Sequence, residues 1–209
     1  ISNMAGLARE GVSHAAFEAS SHGLSQYRTE GLPVRAAAFT NLSRDHLDYH
    51  GTVEVYAAAK ARLFSEVLNE GTLAVFNADD AYAASLQEIC VRRNISALSF
   101  GSHAAADYRV VQVVPHVDGL RATLCLRGRD YAIDLPLYGA FQLSNMLAAM
   151  GLLRAAGLTE EALVPWLPKL AGVPGRLEKI ASCNGAPIFI DYAHTQIGRA
   201  SCRERVSSP

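Results

Sequence analysis

Three segments between Glu18 and Lys60 carry side chains suited to handling a metal ion and a phosphate. They are EASSHGLSQYR from Glu18, TNLSRDHLDYHG from Thr40 and VYAAAKARLF from Val55. Together they supply a lone carboxylate, a knot of histidines and aspartates, and a lone lysine. The lysine is the most constrained. On a helix starting near Thr52, the 3.6-residue period puts Tyr56, Ala59, Leu63, Phe64 and Val67 on one face. Lys60 falls inside that face, whereas Glu54, Arg62 and Ser65 point elsewhere. An ammonium group in an apolar stripe is costly unless it is paired or chemically changed, and burial lowers its pKa. A neutral amine can take up carbon dioxide as a carbamate, which is anionic and ligates metal. The plain alternative is a lysine whose stem lies on the apolar face while its head reaches water.

Each other candidate has a structural reading beside the functional one. Glu18 stands near the end of the apolar run His14–Ser20, expected to be a buried parallel strand. Open α/β sheets gather ligands at the carboxyl ends of strands, yet a strand-end carboxylate can also simply face water. His46, with Asp45, Asp48 and His50, lies in a polar loop whose imidazoles and carboxylates suit divalent metals or merely solvate the loop. Ser20, Ser21, Gln26 and Arg28 follow Glu18, and Arg28 has the fork geometry to hold a phosphate or carboxylate. Asn145, near the start of a helix, is either a helix residue or an adenine contact. Asp191 and His194 end the strand-like run FIDYAHT, again where sheets place ligands. No GxxxxGK[ST] phosphate loop occurs in the chain.

The elements that must position these groups alternate. After His14–Ser20, the segments Val34–Leu42, Thr72–Asn77 and Ile95–Phe100 read as strands, with helices expected from Thr52 and over Asp80–Arg93. That pattern predicts a mostly parallel α/β sheet. After Gly101, Tyr108–Val114, Leu120–Leu126 and Tyr131–Leu137 are joined by short Gly-containing turns and predict an antiparallel meander. Helices are expected from Gly139 to about Ala156 and over Thr159–Leu170, the second with a Thr N-cap and two glutamates in its first turn. AGVPGR at Ala171–Arg176 reads as a linker to a further hairpin, Leu177–Ser182 with Pro187–Tyr192.

With 209 residues, half of them hydrophobic, the chain can bury the core of one large domain, or of one domain and part of another. A net charge of −1 removes any general electrostatic reason to expect nucleic acid or an anionic membrane as partner. The four cysteines form no CxxC pair and fit a reducing compartment. No apolar run is long enough to span a bilayer. Ser2–Gly11 reads as the end of a helix, and the N-terminus is expected to be interior to a longer protein.

The segments SSHGL, TNLSRDHLDYHG, YAAAK, GAFQLSN, GRLE and DYAHT, in this order and spacing, resemble the Mur ligases of peptidoglycan synthesis. The resemblance runs from Ile1 to Thr195 and is strongest to the branch that adds the third peptide residue. It implies the central ATPase domain over residues 1–171 and the first strands of a C-terminal α/β domain over 172–195. The resemblance implies that the protein is cytoplasmic and monomeric. By resemblance Glu18, His46 and Lys60 serve a magnesium ion, Lys60 as its carbamate, with Lys60 and His46 the catalytic pair. Ser20, Gln26 and Arg28 match contacts to a UDP-N-acetylmuramoyl dipeptide. Asn145, Arg176, Asp191 and His194 match the nucleotide-facing residues. The implied chemistry is ATP-dependent amide formation through an acyl phosphate, joining meso-diaminopimelate or L-lysine to the dipeptide. Two departures stand out: Gln142 occupies a position where the family usually has Asn, and the phosphate loop is expected upstream.

The run after Thr195, QIGRASCRERVSSP, departs from the family, which continues with Pro and a helix. Its back-translation matches the read of a common sequencing adapter, so residues 196–209 are expected to be non-native. Two other readings compete with the ligase. One is a binding or scaffold protein that keeps the substrate loop and lacks ATP hydrolysis, favoured only by the missing phosphate loop. The other is a related ligase such as folylpolyglutamate synthase, which SSHGL and TNLSRDHLDYHG argue against.

Overall fold

The computed structural model describes residues 2–43, 46–184 and 186–192. The chain divides into two compact units between Ser99 and Phe100. Six strands follow one another across a mostly parallel sheet in the order β1-β2-β3-β4-β5-β6, and a separate two-stranded sheet follows.

The first unit runs α1 (Ser2–Arg9), α2 (Ser21–Ser25), β1 (Ala36–Phe39), α3 (Leu47–His50), α4 (Val53–Arg62), β2 (Leu73–Asn77), α5 (Ala83–Arg92) and most of β3 (Ser96–Gly101). β1 and β2 pair in parallel, Ala36 opposite Leu73 through Phe39 opposite Phe76. Parallel pairing puts both carboxyl ends on one edge, so the segments after Phe39 and after Asn77 emerge side by side. The core is built from Leu24, Phe39, Leu63, Phe64, Leu68, Phe76, Leu86 and Cys90 with smaller neighbours. Burial pushes the Cys90 thiol up to about 11, which makes it a packing group rather than a nucleophile.

α4 starts at Thr52, whose side chain accepts the Val55 N–H at 3.3 Å. It then widens into a π-helical turn, Leu63–Val67, closed by the Leu68 N–H on the Leu63 carbonyl at 3.0 Å. The wider turn lets Leu63, Phe64 and Leu68 all point inward. Arg93 donates to the carbonyls of Phe64 and Leu68 at 2.7 and 2.8 Å, satisfying groups that the helix end leaves without intrahelical donors.

One expected strand is not formed. His14–Ser20 has no strand structure, and Phe17 is 47% exposed. A strand exists only where a neighbour supplies a hydrogen-bonding ladder, and among the described residues none runs beside this segment. Glu18 is therefore exposed on a segment without regular structure rather than at a strand end.

In the second unit β4 (Tyr108–His116), β5 (Gly119–Leu126) and β6 (Arg129–Leu135) form the expected antiparallel meander. Gly119 permits its first turn: at φ +141°, a Cβ there would stand 2.1 Å from the Leu135 carbonyl oxygen. α6 (Phe141–Arg154) buries Leu143, Met146, Leu147 and Met150. The helix expected over Thr159–Leu170 is instead a short α7 (Glu160–Leu163), capped by Thr159, followed by a 3-10 helix over Val164–Lys169. Pro165 and Pro168 have no N–H to continue an α-helical ladder. β7 (Glu178–Cys183) and β8 (Ala186–Ile190) form the last hairpin. Among the described residues no helix is long and apolar enough to cross a membrane.

Candidate functional site

Lys60 lies on α4 with its stem half-buried, as its helical position predicts. Its ammonium nitrogen stands 5.2 Å from the centre of the Tyr56 ring. Burial holds its pKa below the ordinary lysine value, against the opposing pull of the Glu18 and Asp80 carboxylates. Beside it an apolar pocket is lined by Phe39, Leu42, Ala57, Ala61, Tyr82 and Leu86.

The Tyr56 ring also collects the histidines. His46 lies 5.8 Å from it, centre to centre, and His50 stacks on it at 5.2 Å. His46 precedes α3 in a left-handed conformation, φ +56°, uncommon outside glycine and often found at functional sites. His50 is buried, with its Nε2 2.9 Å from Ser21 Oγ. Burial first, then the His22 and His46 rings, hold its imidazole below the ordinary value, with Asp48 opposing. The structure thus brings Lys60 and His46 to one tyrosine, with Glu18 acting on Lys60 electrostatically. Asp45 lies outside the described residues.

The predicted substrate residues flank α2. Ser20 caps that helix, its hydroxyl accepting the Gly23 N–H at 3.1 Å. Gln26 and Arg28 are exposed. Gln26 donates to the Tyr49 hydroxyl at 3.2 Å, which ties α2 to α3.

In the second unit, Gln142 links two of the four nucleotide-side candidates, and a third bonds the residue beside them. Gln142 is buried, donates to the Arg176 carbonyl at 3.1 Å and accepts from the Asn145 side chain at 3.5 Å. Asp191 accepts the N–H of Leu177, the residue after Arg176, at 3.1 Å. The side chains of Asn145 and Arg176 remain exposed. His194 and residues 196–209 lie outside the described residues.

Sequence reasoning missed Asp80 and Asn77. Asp80 accepts the N–H groups of Leu42 and Tyr82 at 2.8 and 2.9 Å, and Asn77 donates to the Thr40 carbonyl at 2.7 Å. These contacts clamp the segment leading from β1 toward His46. The available signal was the NADD turn closing a strand, a position where α/β sheets build sites.

Magnesium takes oxygen donors, holds few protein ligands and keeps several waters. Among the described residues no three His, Cys, Asp or Glu side chains stand close enough to enclose a metal by themselves. The Glu18 and Asp80 carboxylates that act on Lys60 are the oxygen donors such a partly filled shell would use, with the His46 ring packed on the neighbouring Tyr56.

Comparison with known proteins identifies the family. The Mur ligase middle domain matches residues 1–153. The UDP-N-acetylmuramoyl-L-alanyl-D-glutamate–2,6-diaminopimelate ligase of Bradyrhizobium diazoefficiens is 46% identical over 193 residues, 90% of this chain and 39% of that protein. Its counterpart from Zymomonas mobilis is 47% identical over 193 residues, 92% of this chain and 40% of that protein. A solved structure of a ligase of the same name superposes with a TM-score of 0.78 at 38% identity, covering 91% of this chain and 39% of that one. The chain thus spans about two fifths of the length of the curated relatives it matches. With the middle domain matched over well more than half of its residues, the chain belongs to the Mur ligase family.

Proposed function

We propose that this chain is the central part of an ATP-dependent ligase that adds meso-diaminopimelate to UDP-N-acetylmuramoyl-L-alanyl-D-glutamate in the cytoplasm, as a monomer. The observation that carries the reading is the setting of Lys60, half-buried on α4, faced by Glu18 and Asp80 and sharing Tyr56 with His46. Relatives at 46% and 47% identity are 2,6-diaminopimelate ligases, which favours diaminopimelate over lysine as the incoming amino acid. In this reading residues 1–171 are the central domain and 172–195 begin the C-terminal one.

Glu18, His46 and Lys60 as its carbamate would hold the magnesium ion, which supplies charge neutralisation at the phosphates when bound. Carbamylation would convert the half-buried lysine from a cation into an oxygen ligand, and a pKa held below the ordinary lysine value favours the neutral amine that this requires. Ser20, Gln26 and Arg28 orient the dipeptide so that its D-glutamyl γ-carboxylate meets the ATP γ-phosphoryl group. The γ-phosphoryl moves to that carboxylate and ADP leaves; the amine of the amino acid then attacks the acyl phosphate, releasing phosphate. Asn145, Arg176, Asp191 and His194 serve the nucleotide. Positioning and charge neutralisation supply most of the rate.

The test is turnover by the full-length protein with ATP, magnesium, the UDP-muramoyl dipeptide and either diaminopimelate or lysine. ADP release that requires all components, with amide product from diaminopimelate, is expected. Tight dipeptide binding without any amide product from either amino acid would replace the ligase with a binding protein.

A further inference from the structure

Three side chains at the end of α2 and on α3 form a directed hydrogen-bond chain. Ser25 Oγ donates its single proton to the His22 carbonyl at 2.9 Å. Ser25 Oγ also lies 3.2 Å from the Tyr49 hydroxyl oxygen. With the serine proton committed, the Tyr49 hydroxyl must be the donor in that contact, because a hydroxyl has one proton to give. The Tyr49 oxygen is then left to accept, and it does so from Gln26 Nε2 at 3.2 Å. The Tyr49 ring is itself fixed, 4.0 Å from His22 and 4.8 Å from His50, centre to centre.

An amide side chain has a donor end and an acceptor end, and which way it faces is set by its partners. Here one N–H of the Gln26 amide is given to Tyr49, which turns the nitrogen toward the tyrosine and Oε1 away from it. Resting on the functional reading above, we propose that Tyr49 is a positioning residue that fixes the polarity of the Gln26 amide, so that Oε1 accepts a hydrogen bond from an N–H or O–H donor of the UDP-muramoyl dipeptide. Tyr49 sits three residues after His46, so the same contact ties the dipeptide-reading segment to the α3 segment that carries His46.

The experiment is a steady-state comparison of the full-length ligase with its Tyr49→Phe, Ser25→Ala, Gln26→Ala and Tyr49→Phe/Gln26→Ala variants, each checked by its thermal unfolding midpoint. Tyr49→Phe keeps the ring and removes the hydroxyl. It is expected to raise KM for the dipeptide several-fold, up to about tenfold, the worth of one hydrogen bond. KM for ATP and kcat stay within about twofold, since neither contact reaches the phosphates. Ser25→Ala frees the tyrosine proton to meet Gln26 Oε1 and is expected to raise the same KM, which keeps the test available should Tyr49→Phe fold poorly. In the Gln26→Ala background Tyr49→Phe adds nothing further, the sign of one shared interaction. A dipeptide KM unchanged in both Tyr49→Phe and Ser25→Ala, or fully additive effects in the double variant, would overturn the role of Tyr49 alone. Absence of ligation by the wild-type enzyme would overturn the functional reading and this inference with it.

Discussion

Leu177 holds a left-handed backbone, φ +50°, and donates its N–H to Oδ2 of Asp191 at 3.1 Å. A bulky side chain rarely adopts this conformation, and here it is buried, 3% exposed. The contact bends the chain where the linker enters β7 and holds the end of β8 against it. Asp191→Ala leaves that N–H without its acceptor and is expected to cost about 1–3 kcal/mol. Asp191→Asn retains an acceptor oxygen and should cost less. Amide hydrogen exchange at Leu177 reads the difference directly, and equal protection in wild type and Asp191→Ala would show that the carboxylate does not hold the turn.

Lys60→Ala removes both the half-buried amine and any carbamate formed on it. In the full-length ligase it should lose most of its activity, by roughly a hundredfold or more if the group stabilises transition-state charge as an oxyanion-hole donor does. A short carboxylic acid added to the assay is expected to restore part of the rate by replacing the missing oxygen donor. Ligation at the wild-type rate in Lys60→Ala would remove this residue from the metal site.

Asp80 uses both carboxylate oxygens, one on the Leu42 N–H and one on the Tyr82 N–H. Asparagine can accept with only one of its two terminal atoms, so Asp80→Asn should fall between wild type and Asp80→Ala. Because the clamp fixes the segment leading to His46, both variants are expected to raise the magnesium concentration for half-maximal activity, while KM for the dipeptide stays within about twofold. A magnesium titration separates this from general loss of fold, which would lower the amplitude without moving the midpoint.

Buried Tyr108 and Glu160 form, with half-buried Arg154, a network that sets a pH window for stability. Tyr108 donates to Glu160 Oε1 at 2.6 Å, and Arg154 donates to the same oxygen at 2.8 Å. Burial alone would raise the Glu160 pKa, but the Tyr108 hydroxyl, a backbone N–H and Arg154 outweigh it and hold the carboxyl below its ordinary 4.5. Its contribution is therefore present above about pH 4.5 and lost as pH falls through the lowered folded value. Burial and Glu160 raise the Tyr108 phenol above its ordinary 10.0, so its contribution falls away as pH rises past that point. Glu160→Gln should flatten the acid side of the profile and cost about 1–3 kcal/mol at neutral pH. Denaturant unfolding followed from pH 3 to 8 provides the check.

The sequence by itself determined what depends on near neighbours. The α4 periodicity placed Lys60 on the apolar face, because positions three and four apart on a helix share a side whatever lies beyond. The Gly-containing turns determined the meander, and Thr52 and Thr159 determined where two helices start. Tertiary structure decided what depends on segments distant in the chain. Asp80 meets Leu42 across 38 residues, Tyr49 meets Gln26 across 23, and Gln142 meets Arg176 across 34. No local pattern encodes such contacts, because each exists only once parallel strands or packed helices have brought two loops to the same edge. His14–Ser20 shows the same limit from the other side. Its apolar letters suit a strand, but a strand is defined by its hydrogen-bonded neighbour, and that partner is not written in the segment itself.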